Sequence, residues 1–377
     1  MRKHALLSAS SAERWLHCPP SARLGEEVKI DETESPSIYA REGTVAHALA
    51  EALLLDDKEA VEALKEDDLY YPAMLEEVGE YVDFCREEFL VLKQKDKNAI
   101  CEIEKRLDFS TYVPKGFGTG DCILIGDKEI HVIDLKFGRG VEVYPQENPQ
   151  LMLYGLGALH AYGFLWELET VKLTIAQVRL GNISTWEIPV KELIRWGNTE
   201  VKSIAEKAYN GEGEVKPGDW CRWCTYRVLC KERAEQFLSV FEKHKEPEAL
   251  TAKEIGEILD IGKNISAWLS DLEAFALKEI TGGAEIPGYK VVEGRSTRKI
   301  TDEEAFAKVL LGELPEDKVY KPKALQTITF LEKQLGKKKF AELGSDYIVK
   351  PQGSPTLAKV DDKRPAMFGA ESDFNFQ

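Results

Sequence analysis

The run Gly120-Asp121-Cys122-Ile123-Leu124-Ile125-Gly126-Asp127-Lys128-Glu129-Ile130-His131-Val132-Ile133-Asp134-Leu135-Lys136 decides how the chain folds. Two short apolar stretches flank Gly126-Asp127-Lys128, a turn signal, so the segment reads as two adjacent strands joined by a hairpin. Twelve residues lie between Asp121 and Asp134, a spacing that brings the two carboxylates side by side. Side chains alternate along a strand, so Lys136 points to the same face as Asp134. Two carboxylates and an ammonium then converge, as metal-assisted hydrolysis of a phosphodiester requires. Hard oxygens hold Mg2+ or Mn2+, and the lysine orients a water or stabilises developing charge. A salt bridge at a strand end uses the same residues, and an Asp-x-Lys triplet alone favours that simpler reading, so the rest of the chain has to decide.

Working outward, Cys101 to Leu107 alternates with period two and supplies a preceding strand, and Gly116, Gly118 and Gly120 open the next. Pro149 to Tyr162 reads as a helix and Val171 to Val178 as a fourth strand, which makes an α/β core with a mixed central sheet flanked by helices. Upstream, Val45 to Leu55 and Met74 to Leu92 read as amphipathic helices joined by the acidic Lys65-Glu66-Asp67-Asp68. Downstream, Val190 to Tyr209 reads as a helix, Gly211 to Gly218 as a linker, and Leu250 to Ile280, Asp302 to Leu311 and Lys323 to Leu335 as further helices. Tyr289 to Val292 reads as a short strand between them.

The chain has 377 residues, 43% of them hydrophobic, enough for two or three domains with a real core. Its net charge of −16 argues against coating nucleic acid or an anionic membrane by bulk electrostatics, so any contact with DNA must be local. Residues 1–100 carry 12 Lys/Arg and 22 Asp/Glu and therefore most of the excess. No apolar run is long enough for a membrane span, and the first ten residues lack secretory features, so the expected location is the cytoplasm, without membrane partners.

His47 and Glu51 are four apart and share a helix face, which could add an imidazole to the metal site with a carboxylate behind it. Gln150 and Tyr154, again four apart, bring an amide and a phenol beside the same place, although core packing accounts equally well for Tyr154. A second group is Cys221-x2-Cys224-x5-Cys230, with Cys18, about 200 residues upstream, as the natural fourth thiolate. Thiolates suit an iron-sulfur cluster or zinc, and one C-x2-C knuckle with a wider step favours the cluster, while His17 keeps a Cys3His zinc site open. Cys85, Cys101 and Cys122 read as buried thiols. Arg222, Trp223, Arg227 and Lys231 surround the cysteines and suit a DNA contact or simple packing.

These residues together resemble a known family. Ser11 to Pro19, Gly43 to His47, Glu104 to Asp108, Gly118 to Asp121, Val132 to Gly138, Asn148 to Tyr154 and the cysteine triplet are similar to phage and prophage proteins of the DUF2800 type. That group is a branch of the PD-(D/E)XK nuclease superfamily related to the Cas4 and AddB/RecB-like nucleases with an iron-sulfur staple. The resemblance covers about residues 8–235, with Gly288 to Arg295 matching further on. It implies His47, Asp121, Asp134 and the Leu135 carbonyl as metal ligands, Lys136 as the catalytic lysine, and Gln150 and Tyr154 as the Q-x3-Y element. It also implies a 4Fe-4S cluster on Cys18, Cys221, Cys224 and Cys230, and it matches Glu104 without assigning it a role.

The expected organisation is a restriction-endonuclease-like nuclease domain at 1–245, a helix-rich accessory domain at 246–350 and a flexible tail at 351–377. The expected activity is a Mg2+- or Mn2+-dependent DNA exonuclease acting in phage recombination or end processing. DNA ends would be its substrate, and an annealing protein or helicase its companion. A non-catalytic module that binds DNA ends or protein is the alternative. For the exonuclease, the acidic total is tolerable if Lys136, Arg139, Lys172, Arg179 and Arg195 line a narrow channel that focuses a positive field.

Overall fold

The computed structural model describes residues 5–27, 37–164, 167–243, 250–292, 303–311, 315–320, 326–344 and 347–348. It begins with Ala12–His17 (α1) and Ser21–Glu27 (α2), followed by Ile38–Leu54 (α3), Lys58–Leu64 (α4) and Pro72–Lys95 (α5). The Ser37 side chain caps α3 by accepting from the Ala40 amide, and Pro72 opens α5, where a missing N–H costs nothing. The helix α4 was not expected. Asp57 caps it by accepting from the Ala60 amide, and the helix ends just before the stretch 65–68 read as the link.

The strands are Ile100–Asp108 (β1), Phe117–Ile125 (β2), Glu129–Leu135 (β3), then Pro149–Tyr162 (α6), Thr170–Gln177 (β4) and Asn182–Pro189 (β5). They form one five-stranded sheet in the order β1-β2-β3-β4-β5. All neighbours are antiparallel except β3 and β4, which run parallel because α6 crosses between them. The edge strand β5 is mostly exposed or half-exposed, so it carries little of the apolar signal by which a buried strand is read. Val190–Trp196 (α7) and Lys202–Asn210 (α8) follow, joined by a π-helical turn, and then Lys231–Lys243 (α9) and the long Ala252–Thr281 (α10). Glu303–Leu311 (α11), Glu316–Val319 (α12), Ile328–Leu335 (α13) and Lys337–Gly344 (α14) complete the helices among the described residues. Tyr289–Val292 is not a strand. The segment is exposed and has no ladder partner among the described residues, and without one an isolated strand has nowhere to place its backbone groups.

Two cores lie on the two faces of the sheet. One joins β1–β4 to α6 through Leu107, Ile123, Ile130, Val132, Leu151 and Leu173. The other joins it to α3 and α5 through Leu49, Met74, Val78, Leu124, Ile133 and Leu135. Each fully buried aliphatic side chain of this kind contributes roughly 1.5–3 kcal/mol. The faces exchange partway along the first hairpin. Leu107 belongs to the first core while Ile103, of the same parity, packs against the second. On β2 a Cβ at Gly120 would press on Ile123 and Leu107 in the first core, yet Cys122 belongs to the second. The exchange falls at Glu104 and Asp121, and Glu104 has a left-handed φ of 48°.

The chain divides into two compact units, Met1–Leu325 and Gln326–Gln377. In the second, α13 packs on α14. The expected tail 351–377 and part of the matched Gly288–Arg295 segment lie outside the described residues. No helix among the described residues is long and apolar enough to cross a membrane.

Candidate metal centre

The site is assembled at the junction of β1, β2, β3, α3 and α6. Asp134, near the end of β3, is 3% exposed, and its Oδ2 lies 2.8 Å from Lys136 Nζ. Asn148 caps α6 by accepting from the Gln150 and Leu151 amides, which fixes the first turn of that helix and with it Gln150. Gln150 Nε2 donates to Asp134 Oδ1 at 3.0 Å, while its Oε1 accepts from Lys136 Nζ at 3.1 Å. One amide thus holds the acid and the amine together. Tyr154, one turn further along, has its hydroxyl 3.4 Å from Gln150 Nε2, and its ring lies against Gly118, where a Cβ would come within 2.7 Å of it.

Asp121 completes the hairpin pair. Its Oδ2 accepts from the Leu135 amide at 2.7 Å, which ties β2 to the end of β3, and its Oδ1 faces His47 Nδ1 at 3.4 Å. Ala46, Leu49 and Ala50 bury α3 in the second core and leave His47 facing Asp121. Glu104 joins them from β1. Ligand atoms of His47, Glu104 and Asp121 all lie within 4.8 Å of one another, a distance that suits a single divalent ion. Glu104 is the residue to which sequence reasoning gave no role. Its location on an alternating strand offered no cue that a left-handed backbone would turn it towards the site.

The electrostatics are those of crowded, desolvated acids. Burial, and then the Asp121 charge, push Glu104 up to about 7. Burial also raises Asp134, against the pull of Lys136. Burial opposes charging of His47 and of Lys136, but the neighbouring carboxylates outweigh it and both titrate above their ordinary values. Burial and the nearby Asp134 charge hold the Tyr154 phenol protonated.

The expected channel cations are placed differently. Arg179 is an internal clamp: it pairs with Glu42 of α3 at 3.1 Å and Glu77 of α5 at 3.6 Å, and donates to the Phe137 carbonyl at 3.3 Å. Arg139 donates to Glu77 at 2.9 Å, and Lys172 pairs with Glu129 at 2.9 Å. Arg195 is exposed on α7. Carboxylates distant in sequence neutralise the first three, which composition alone does not reveal. Of the expected five, Lys136 is at the site.

Cys18, Cys221, Cys224 and Cys230 are buried and line one cavity, together with Arg14 and Trp220 among others. Cys18 ends α1 and Cys230 precedes α9, so the cavity joins the start of the chain to the segment after the sheet. His17 is not among the lining residues. Its ring stacks on Trp220 at 4.2 Å, and its Nδ1 meets the Glu13 carbonyl at 2.8 Å. Burial, which disfavours the thiolate form, raises the Cys221 and Cys230 thiols. The other cysteines lie in or beside the second core, with Cys101 Sγ and Cys122 Sγ 3.9 Å apart.

Fold and site together define a mixed α/β protein whose sheet presents acidic side chains on neighbouring strands, facing a helical histidine. The chain belongs to the family described as "Protein of unknown function (DUF2800)", which matches residues 4–365. Among solved structures it is similar to one from Eubacterium rectale described as "Putative exonuclease". The two share 11% identity at a TM-score of 0.36, over 66% of this chain and 92% of that one. It is also similar to SSO0001, with 16% identity and a TM-score of 0.22, over 57% of this chain and 95% of that one.

Proposed function

We propose that the protein is a divalent-metal-dependent DNA exonuclease of the PD-(D/E)XK type. The observation that carries this reading is the gathering of His47, Glu104 and Asp121 within 4.8 Å, next to a buried Asp134 that a half-buried Gln150 ties to Lys136. His47, Glu104 and Asp121 would hold Mg2+ or Mn2+, with Asp134 and the Leu135 carbonyl beside them. The ion would acidify a water and polarise a phosphoryl oxygen. Lys136, fixed by Asp134 and Gln150, is placed to orient the nucleophile or meet charge developing on the phosphate. Tyr154 stays protonated and supports Gln150. Ends resected in this way would feed DNA recombination or end processing, alongside an annealing protein or helicase.

The four cysteines suit a 4Fe-4S cluster with a structural role, because hydrolysis transfers no electrons. One C-x2-C knuckle, a wider step to Cys230 and a distant Cys18 favour the cluster over a zinc site, which usually takes two such knuckles.

The test is to incubate the anaerobically purified full chain with 5'- or 3'-end-labelled DNA in Mn2+ or Mg2+. Nucleotide release that is abolished by EDTA, by Asp134→Ala and by Lys136→Ala supports the reading. Binding without release in either metal overturns it.

A further inference from the structure

Most cations near the sheet are neutralised by carboxylates: Lys172 by Glu129, Lys128 by Glu169, and Arg139 and Arg179 by Glu77. One groove departs from this pattern. It is formed by the N-terminal segment, α2, the β1–β2 connection and the end of α8. Arg106 sits over the Phe117 ring, 3.7 Å from its centroid, and Lys115 and Arg23 sit over Tyr209 at 5.7 and 4.9 Å. Arg23 shares its charge with Glu26 at 2.7 Å, whereas Arg106 and Lys115 make no ion pair within 4.0 Å among the described residues. The acid of the groove, Asp108, accepts from the Ser110 amide at 2.8 Å, and hydrogen bonds from Ser110, with a smaller contribution from the Arg106 charge, lower its pKa.

An aromatic face holds a cation in place without cancelling its charge, whereas a carboxylate does both. Two cations prepared in this way, in a chain of net charge −16, form a local positive strip with flat apolar surface beside it. Lys115 is presented from a left-handed backbone, φ 55°, a conformation unfavourable for a lysine. The complementary ligand carries spaced anionic groups and flat rings, as a nucleic-acid strand does. Two of its lining residues lie on the strands that carry acids of the metal centre. Arg106 is two residues along β1 from Glu104, about 7 Å at the rise of a strand, and Phe117 is four residues along β2 from Asp121.

We propose that this groove binds a single DNA strand through Arg106 and Lys115, with Phe117 and Tyr209 as its aromatic walls, and delivers it to Glu104 and Asp121. The direction of delivery rests on the nuclease reading; the binding does not. The test is fluorescence anisotropy of a labelled single-stranded oligodeoxynucleotide with the full chain in EDTA, where no hydrolysis intervenes. Arg106→Ala combined with Lys115→Ala is expected to weaken binding by about tenfold or more at moderate salt. It should also flatten the dependence of log K on log salt by about 1.4, since each lost phosphate contact on a single strand removes about 0.7. Tyr209→Ala should weaken binding while leaving that slope unchanged. If the alanine variants melt lower than the parent, Arg106→Gln and Lys115→Gln keep their stems over the rings and serve instead.

Failure of the parent protein to bind, or a double variant with unchanged affinity and slope, overturns the groove. DNA bound with these dependences but never cleaved in Mn2+ overturns the nuclease reading and leaves the groove standing.

Discussion

Glu104 and Asp121 stand opposite each other across β1 and β2, between the ladder pairs Ile103–Cys122 and Lys105–Gly120, where the two faces of the sheet change places. A left-handed φ for a non-glycine residue costs about 1–2 kcal/mol, so the strand bears strain at the position that turns Glu104 towards Asp121 and His47.

Substituting Glu104→Gln should therefore act in opposite directions with and without metal. In EDTA near pH 8 the variant should be more stable than the parent by about 1 kcal/mol. A carboxyl whose pKa is raised to about 7 destabilises the fold wherever it is forced to ionise. In Mn2+ the gain should reverse, with Mn2+ affinity lower by at least about tenfold. Thermal melting with and without metal, together with titration calorimetry, reads both.

Gln150 spans Asp134 and Lys136 and should set catalysis more than binding. With Gln150→Ala, Lys136 keeps its contact with Asp134 but loses the second anchor. A displacement of about 1 Å at a reacting group costs on the order of 100-fold in rate. Steady-state kinetics should show this in kcat, with KM little changed.

The Arg179 clamp ties the helix of His47 to α5 and to the backbone just past Lys136. Arg179→Met keeps the packing against Phe137 but leaves buried carboxylates short of a cation, at about 3–5 kcal/mol. Urea unfolding measures the loss. A smaller loss in Arg179→Met combined with Glu42→Gln would confirm its electrostatic origin.

Away from the site, Glu129 lies between Lys172 at 2.9 Å and Lys95 at 3.4 Å. Burial opposes its charge, but Lys172 and Lys95 prevail and its pKa is lowered. A lowered carboxylate pKa contributes stability that is present above the unfolded value, about 4.3, and is lost as the pH falls through the folded value. The stability difference between parent and Glu129→Gln, about 1 kcal/mol, should hold from neutral pH down to about 5 and vanish in more acidic solution.

Removal of a thiolate from the cysteine cavity, as in Cys224→Ala, should uncouple α1 from the segment ahead of α9 and lower the melting temperature of the anaerobic protein. The visible absorption of a cluster should disappear with it. A variant that keeps its melting behaviour and activity would remove the staple from the account.

Much of this architecture is legible in residue order. The hairpin carrying Asp121 and Asp134, the helix carrying Gln150 and the parity that sets Lys136 beside Asp134 all follow from periods of two and 3.6. The edge strand β5 is hidden because it buries little, and α4 because it is only seven residues long and buries no side chain fully. Glu104 is hidden for a different reason: alternation assumes an unbroken pleat, and the face exchange at that residue breaks it. The fates of Arg139, Lys172 and Arg179 depend on carboxylates up to about 140 residues away, a pairing that only the folded chain reveals.

The most direct measurement is anomalous scattering from crystals of the full chain soaked in Mn2+. The expected result is one strong peak bounded by His47, Glu104 and Asp121, beside Asp134 and within reach of Lys136, that is lost in Asp121→Ala. A soaked crystal with no peak there, or with Mn2+ bound elsewhere while those side chains keep their metal-free positions, would contradict the proposed centre.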